Sequence, residues 1–114
     1  MTADQETLLS LQNLVILRRG LDLAGTPAEE LSELDRRIDK FRRKLPGRVV
    51  SAFDRAAQQH SNAVTVVADG ECQGCHERVS RQALAQVTRP NGAAQCDHCG
   101  RLLVEERGAP DYVA

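Results

Sequence analysis

All four cysteines of this chain fall in two pairs, Cys72-Gln73-Gly74-Cys75 and Cys96-Asp97-His98-Cys99. Twenty residues lie between the pairs, which gives the pattern C-x2-C-x20-C-x2-C, a zinc-ribbon spacing. Two thiolates three positions apart grip one ion when the backbone turns tightly between them. Gly74 and Gly100 are expected to permit that turn, because glycine adopts positive φ at no steric cost. The gap lets the second pair fold back on the first, so that Cys72, Cys75, Cys96 and Cys99 close a tetrahedron around Zn2+. A site closed in this way is structural and offers no open position for catalysis.

Other cysteine chemistries fit less of the pattern. A pair of disulfides needs an oxidising compartment, and the Met-Thr-Ala-Asp start has no basic leader region. A dithiol redox motif uses one C-x-x-C, not two. Cys72 to His76 spells C-x-x-C-H, the c-type haem string, but this leaves the second pair unused, and the single methionine is Met1. Oxidation of the thiolates with release of the metal is a further use of the same residues. His76 and His98 flank the knuckles; with four cysteines satisfying the ion, they are expected to be hydrogen-bonding or solvent groups. His60 is expected to cap a helix end. No Ser/His/Asp or Cys/His set is legible, so a non-enzymatic protein is expected.

Charge bounds the partners. Lys and Arg number 15 against 16 Asp and Glu, a formal net charge of −1, so any basic surface must be local. One such stretch exists: Arg36, Arg37, Lys40, Arg42, Arg43, Lys44 and Arg48, with only Asp39 against them. Two readings of it stand, the solvated outer face of a coiled-coil helix and a surface that tracks the phosphates of RNA or DNA. No aromatic residue occurs from Cys72 to Val104, so stacking on bases is not expected there. Asp22, Glu29, Glu30 and Glu33 form an acidic group, read either as first-turn acids that suit a helix dipole or as an acidic tip aimed at a basic or metal-bearing channel. No apolar run is long enough for a membrane span, and a cytoplasmic location is expected.

The elements that must position the cysteines are helices first and strands after. Ala3 to about Leu23 reads as a helix with three apolar strips: Leu8, Leu11 and Val15; Leu9, Ile16 and Leu23; Leu14, Leu17 and Leu21. A helix apolar on several sides is covered on several sides. Gly25 is expected to end it, with Thr26 capping a second helix and Glu29 completing a capping box. Leu31, Leu34, Ile38, Phe41 and Leu45 form a heptad seam, so residues 3–45 are expected to be an antiparallel helical hairpin, with the remaining apolar surface covered either by the rest of the chain or by a second copy, in a homodimer joining two hairpins. Pro46-Gly47 is expected to break the second helix, a third, shorter one follows from about Arg48 to Gln59, and Ala63–Val67 reads as a strand, with Asp69-Gly70 turning the chain into the first knuckle. Val79–Val87 fits either a strand or a helical turn; Pro90-Asn91-Gly92 is a turn and Leu102–Val104 a strand. The resulting fold class is α+β: residues 1–62 helical hairpin and connecting helix, 63–104 a four-cysteine zinc ribbon of short β-hairpins, 105–114 a tail.

Cys72-Gln-Gly-Cys75-His76, Gln82 and Cys96-Asp-His-Cys99-Gly100-Arg101-Leu102-Leu103 together resemble the bacterial four-cysteine zinc-ribbon proteins with an N-terminal coiled-coil hairpin. Leu45-Pro46, the short helix with Phe53 and the valine-rich strand are also similar, so the resemblance spans roughly residues 27–104. It implies a nucleic-acid-binding regulatory protein of transcription or translation, in miniature, since hairpins of that family are longer. The family's usual proline pair is here Ser80-Arg81, and its aromatic after the last strand is here Val104. The order of hairpin, acidic tip and four-cysteine module is also similar to DksA/TraR-type factors. That similarity implies a regulator of RNA polymerase that does not contact nucleic acid directly; RNA polymerase or the ribosome is thus the expected partner beside nucleic acid.

Overall fold

A computed structural model describes residues 2–89 and 94–105. Helices come first and a small sheet after: α1 (Ala3–Leu23), α2 (Ala28–Arg43), α3 (Gly47–Gln59), β1 (Val64–Ala68), β2 (Glu71–Cys72), α4 (Arg81–Val87), β3 (Ala94–Gln95) and β4 (Leu102–Glu105). The turn expected at Pro90-Asn91-Gly92 and the tail beyond Glu105 lie outside the described residues; Glu105 itself ends β4.

The link between α1 and α2 departs from expectation. Gly25 (φ 86) does end α1, and its N–H bonds to the Asp22 carbonyl. The Thr26 N–H reaches back to the Leu21 carbonyl, completing a Schellman closure. Thr26 is thus tied to the helix behind it and does not cap the one ahead. Pro27 takes the cap position of α2, no side chain caps that helix, and the expected capping box with Glu29 does not form. The Pro27 carbonyl still accepts from the N–H groups of Glu30 and Leu31.

The seam of α2 faces inward: Leu31 is buried and Leu34, Ile38 and Phe41 are half-buried. The helix stops at Arg43, so Leu45, also buried, belongs to the link into α3. On α3 the buried positions are Val49, Ala52, Phe53 and Ala56, one face of a helical repeat. These pack with Leu8 and Leu11 of α1 and with Val64, Leu102 and Val104 of the sheet. The distal part of α1 is covered on one side only: Leu14, Val15 and Leu21 are half-buried, whereas Ile16, Leu17 and Leu23 are exposed, Leu23 to 82%.

The sheet order is β2-β1-β4-β3. β1 and β2 form a hairpin on a two-residue turn, Asp69 and Gly70, both at positive φ, which is the type I′ requirement. β3 and β4 are also antiparallel, with Ala94 opposite Leu103. The two hairpins are joined by a parallel pair at the centre, β1 with β4, in the register Val64↔Leu102 to Val67↔Glu105. Because β4 is buried on both faces, its side chains divide between two interiors. Leu102 and Val104 face the helices, while Leu103 packs with Cys72, Val79, Ala83, Val87 and Cys96. The undecided stretch Val79–Val87 is largely helix α4, capped by the Ser80 hydroxyl, which accepts from the Ala83 N–H.

Two buried glutamines fasten α1 to this sheet. Gln5 donates from Nε2 to the Val87 carbonyl (2.7 Å) and accepts at Oε1 from the Glu105 N–H (3.0 Å). Gln12 Oε1 accepts from the Val64 N–H (2.6 Å). The pair therefore completes backbone groups at the start of β1 and the end of β4, where the ladder has no strand to offer.

Candidate metal centre

The cysteines lie on two knuckles of the same backbone construction. In the first, the Cys72 N–H bonds to the Glu77 carbonyl and the His76 N–H to the Cys72 carbonyl. In the second, the Cys96 N–H bonds to the Arg101 carbonyl and the Gly100 N–H to the Cys96 carbonyl. Each knuckle needs a left-handed residue just after its second cysteine. The second uses Gly100 (φ 79), as expected; the first uses His76 (φ 64), not Gly74. Gly74 is required for a different reason. A Cβ there would sit 2.7 Å from Arg101 Cδ and 2.5 Å from Arg101 Nη1, so its hydrogen makes room for a side chain from the opposite knuckle.

The four sulfurs all lie within 4.8 Å of one another. Cys72 Sγ is 3.8 Å from Cys99 Sγ, and Cys75 Sγ is 3.6 Å from Cys96 Sγ. A tetrahedron with metal–sulfur bonds of about 2.3 Å has edges of about 3.8 Å, so these spacings suit one ion at the centre. The cysteines are free thiols and not disulfides. Cys72 and Cys96 are buried, Cys75 and Cys99 half-buried.

Backbone amides point at the sulfurs in matching fashion. Those of Gly74 and Cys75 serve Cys72, and those of His98 and Cys99 serve Cys96. The Glu77 amide serves Cys75 and the Arg101 amide serves Cys99. Burial nevertheless pushes the Cys72 and Cys96 thiols up from their ordinary range. Cys75 has the Glu77 amide to favour its thiolate, but removal from water and the neighbouring Cys72 and Cys99 thiols hold it up as well. Cys99 differs. Burial opposes its ionisation, yet the Arg101 amide, the Cys96 thiol and the Arg101 guanidinium together bring it down to about 7.

No protein-family model, curated protein or solved structure matches this chain. Its candidate site therefore rests on its own geometry. His76 and His98 are exposed, and neither belongs to the sulfur cluster. His60 does end α3, through its N–H to the Ala56 carbonyl, but its ring Nε2 also meets the Cys99 carbonyl at 2.7 Å. Arg101 Nε donates to the Asn62 carbonyl at 2.9 Å. These two contacts, which join the second knuckle to the helical core, were not anticipated; the only sequence signal for either was an arginine directly after Cys99-Gly100.

The basic stretch divides in two. Arg42 makes a two-pronged pair with Asp54 of α3 (2.7 and 2.9 Å), which holds the Asp54 carboxyl below its usual range. Arg43 pairs with Asp39, and Arg36 with Glu33. Among the described residues, Arg37, Lys40, Lys44 and Arg48 have no carboxylate partner, though Lys44 Nζ stands 5.2 Å from the Phe41 ring centre. Asp22, Glu29 and Glu30 are exposed around the link from α1 to α2. No helix among the described residues is long and apolar enough to cross a membrane.

Proposed function

We propose that Cys72, Cys75, Cys96 and Cys99 hold one structural Zn2+ in a ribbon-type site. On this reading α1 and α2 are an antiparallel hairpin, and the protein is a non-enzymatic adaptor that binds nucleic acid through phosphates. The sulfur spacing supports the metal reading, since two sulfur pairs stand at tetrahedral edge distance, all four lie within 4.8 Å, and four thiolate ligands would leave zinc no position for substrate. Arg18 Nε pairs with Asp35 Oδ1 at 2.7 Å across the link, as antiparallel neighbours would. The observation that carries the nucleic-acid reading is the set Arg37, Lys40, Lys44 and Arg48, exposed cations without acidic partners among the described residues, in a chain of net charge −1. Binding of mixed RNA and DNA across a salt series tests it. Affinity should fall steeply with salt; an affinity indifferent to salt, or none at low salt, would end this reading. Elemental analysis of freshly isolated, reduced protein should return one equivalent of zinc.

A second reading uses the opposite end of the helices. Exposed Asp22, Glu29 and Glu30 would meet a basic surface of RNA polymerase or the ribosome, with no direct nucleic-acid contact. Retrieval of polymerase from a native lysate, lost on Glu29→Lys with Glu30→Lys, favours it over the first.

A further inference from the structure

Two grooves share one lining residue, Gln95, the exposed residue of edge strand β3. The first, about 220 Å³, runs between α3 and the sheet, with Arg48 and Arg55 over a floor that includes Ala52 and Leu102. The second, about 280 Å³, lies between α4 and the second knuckle and is lined by Ser80, Gln82, Gln86 and Asp97. Each is smaller than the roughly 300–1,000 Å³ typical of a site that encloses a whole small ligand, so each suits one part of a larger one.

Their chemistries differ in a specific way. Arg48 and Arg55 are seven positions apart, so they project from one side of α3 two turns from each other. Both are exposed, and neither has a carboxylate partner among the described residues. The second groove has no cation among the described residues. It offers amides that both donate and accept, a hydroxyl that already accepts from the Ala83 N–H, and one carboxylate. A nucleotide has the same division: an anionic phosphate at one end and, at the other, a neutral base edge of donors and acceptors. Asp97 reinforces the polarity, because it repels phosphate and accepts from an exocyclic amine.

We infer that these adjoining grooves take one phosphate-and-base unit of a single-stranded nucleic acid. The phosphate lies between Arg48 and Arg55, and the base edge lies across Gln95 against Gln82, Gln86 and Asp97. A single strand is required because the edges that would be read are occupied in a duplex. Among the described residues no aromatic side chain lines either groove, so base preference here comes from hydrogen bonding and not stacking. The strand continues from Arg48 onto Lys44 and Lys40 of α2. This inference rests on the nucleic-acid reading above and adds Arg55 and the glutamines to it.

Fluorescence anisotropy with short labelled adenine, cytosine and uracil homopolymers, titrated with metal-replete protein, tests it. Arg55→Gln should weaken all three alike, by about fivefold to tenfold at low salt, and reduce the salt slope by about one. Gln82→Ala combined with Gln86→Ala should leave the slope alone and change the ratio of affinities among homopolymers by about fivefold or more. Unlabelled nucleoside monophosphates should compete far less well than the strands; equal competition would make this a free-nucleotide site and overturn the inference. If Arg37→Gln weakens binding while both groove variants behave as the parent, the groove is unused and the reading of α2 survives. If the parent binds no strand at all, both fall together. Zinc content and the circular dichroism spectrum of each variant establish that it is folded.

Discussion

Arg101 occupies the space that a side chain on Gly74 would fill, with its Nη1 2.5 Å from the position of a Cβ there. The contact crosses from one knuckle to the other and leaves the guanidinium beside Cys99, where it favours the thiolate.

Gly74→Ala is therefore expected to destabilise by crowding, not by backbone strain, since Gly74 is not at positive φ. Arg101 must withdraw, giving up its bond to Asn62, at a cost of about 1–2 kcal/mol. In an Arg101→Ala background the same substitution should cost much less. Denaturant unfolding of the two single variants and the double variant measures this; additive losses would refute the account.

On the proposed metal reading, Cys99 should be the first cysteine to react when a chelator is added near neutral pH. It alone is held down, at about 7, whereas Cys72, Cys75 and Cys96 are raised. The sign follows from linkage. A thiol depressed in the folded protein binds fewer protons than in the unfolded chain, so its stabilising contribution is complete above the unfolded value and disappears as pH falls through about 7. Limiting iodoacetamide with mass mapping should mark Cys99 first at slightly alkaline pH and lose that preference about a unit below 7. Equal labelling of all four cysteines at slightly alkaline pH would contradict it.

Gln5→Ala should destabilise more than Gln12→Ala. The first removes two bonds, to Val87 and Glu105; the second removes one, to Val64. Each buried backbone group deprived of its partner costs about 1–3 kcal/mol. Thermal melts of metal-saturated protein should rank the variants in that order.

The two halves of the basic stretch should separate experimentally. Replacing Arg37, Lys40 and Lys44 with glutamine should cut nucleic-acid affinity and the salt slope while leaving stability nearly unchanged. Arg42→Gln should instead lower stability by about 0.5–1 kcal/mol, a modest figure because its pair with Asp54 is partly solvated. That contribution fades in acid, as the depressed Asp54 carboxyl takes up its proton.

Ile16 and Leu17 bear on self-association. If a second copy covers them, light scattering at high micromolar concentration should give a dimer, and Leu17→Glu with Ile16→Glu a monomer. A monomer from the unaltered chain would dismiss the paired-hairpin proposal.

The cysteine cluster, the α2 seam and the order of elements were legible because each has a local period or a fixed spacing. What escaped reading was competition between neighbours and contact at long range. Thr26 has the chemistry of a cap, but Gly25 commits its N–H to the preceding helix. Gly74 looks like a turn glycine, yet the constraint on it comes from Arg101, far along the chain. Gln5 and Gln12 have surface chemistry and are buried only because strand ends meet them. The side-by-side pairing of β1 with β4 has no local signature, since a parallel ladder records only which segments have been brought together.

That pairing also dictates an order of assembly. β1 and β4 cannot align until everything from Asp69 to Arg101 has been drawn into a closed excursion, and closure entropy opposes so distant a meeting. An ion clasping both knuckles, as proposed, would tie off most of that excursion near its ends. The metal would then act early, as the clip that makes the central strands neighbours, with α1 docking its glutamines once those strand ends exist.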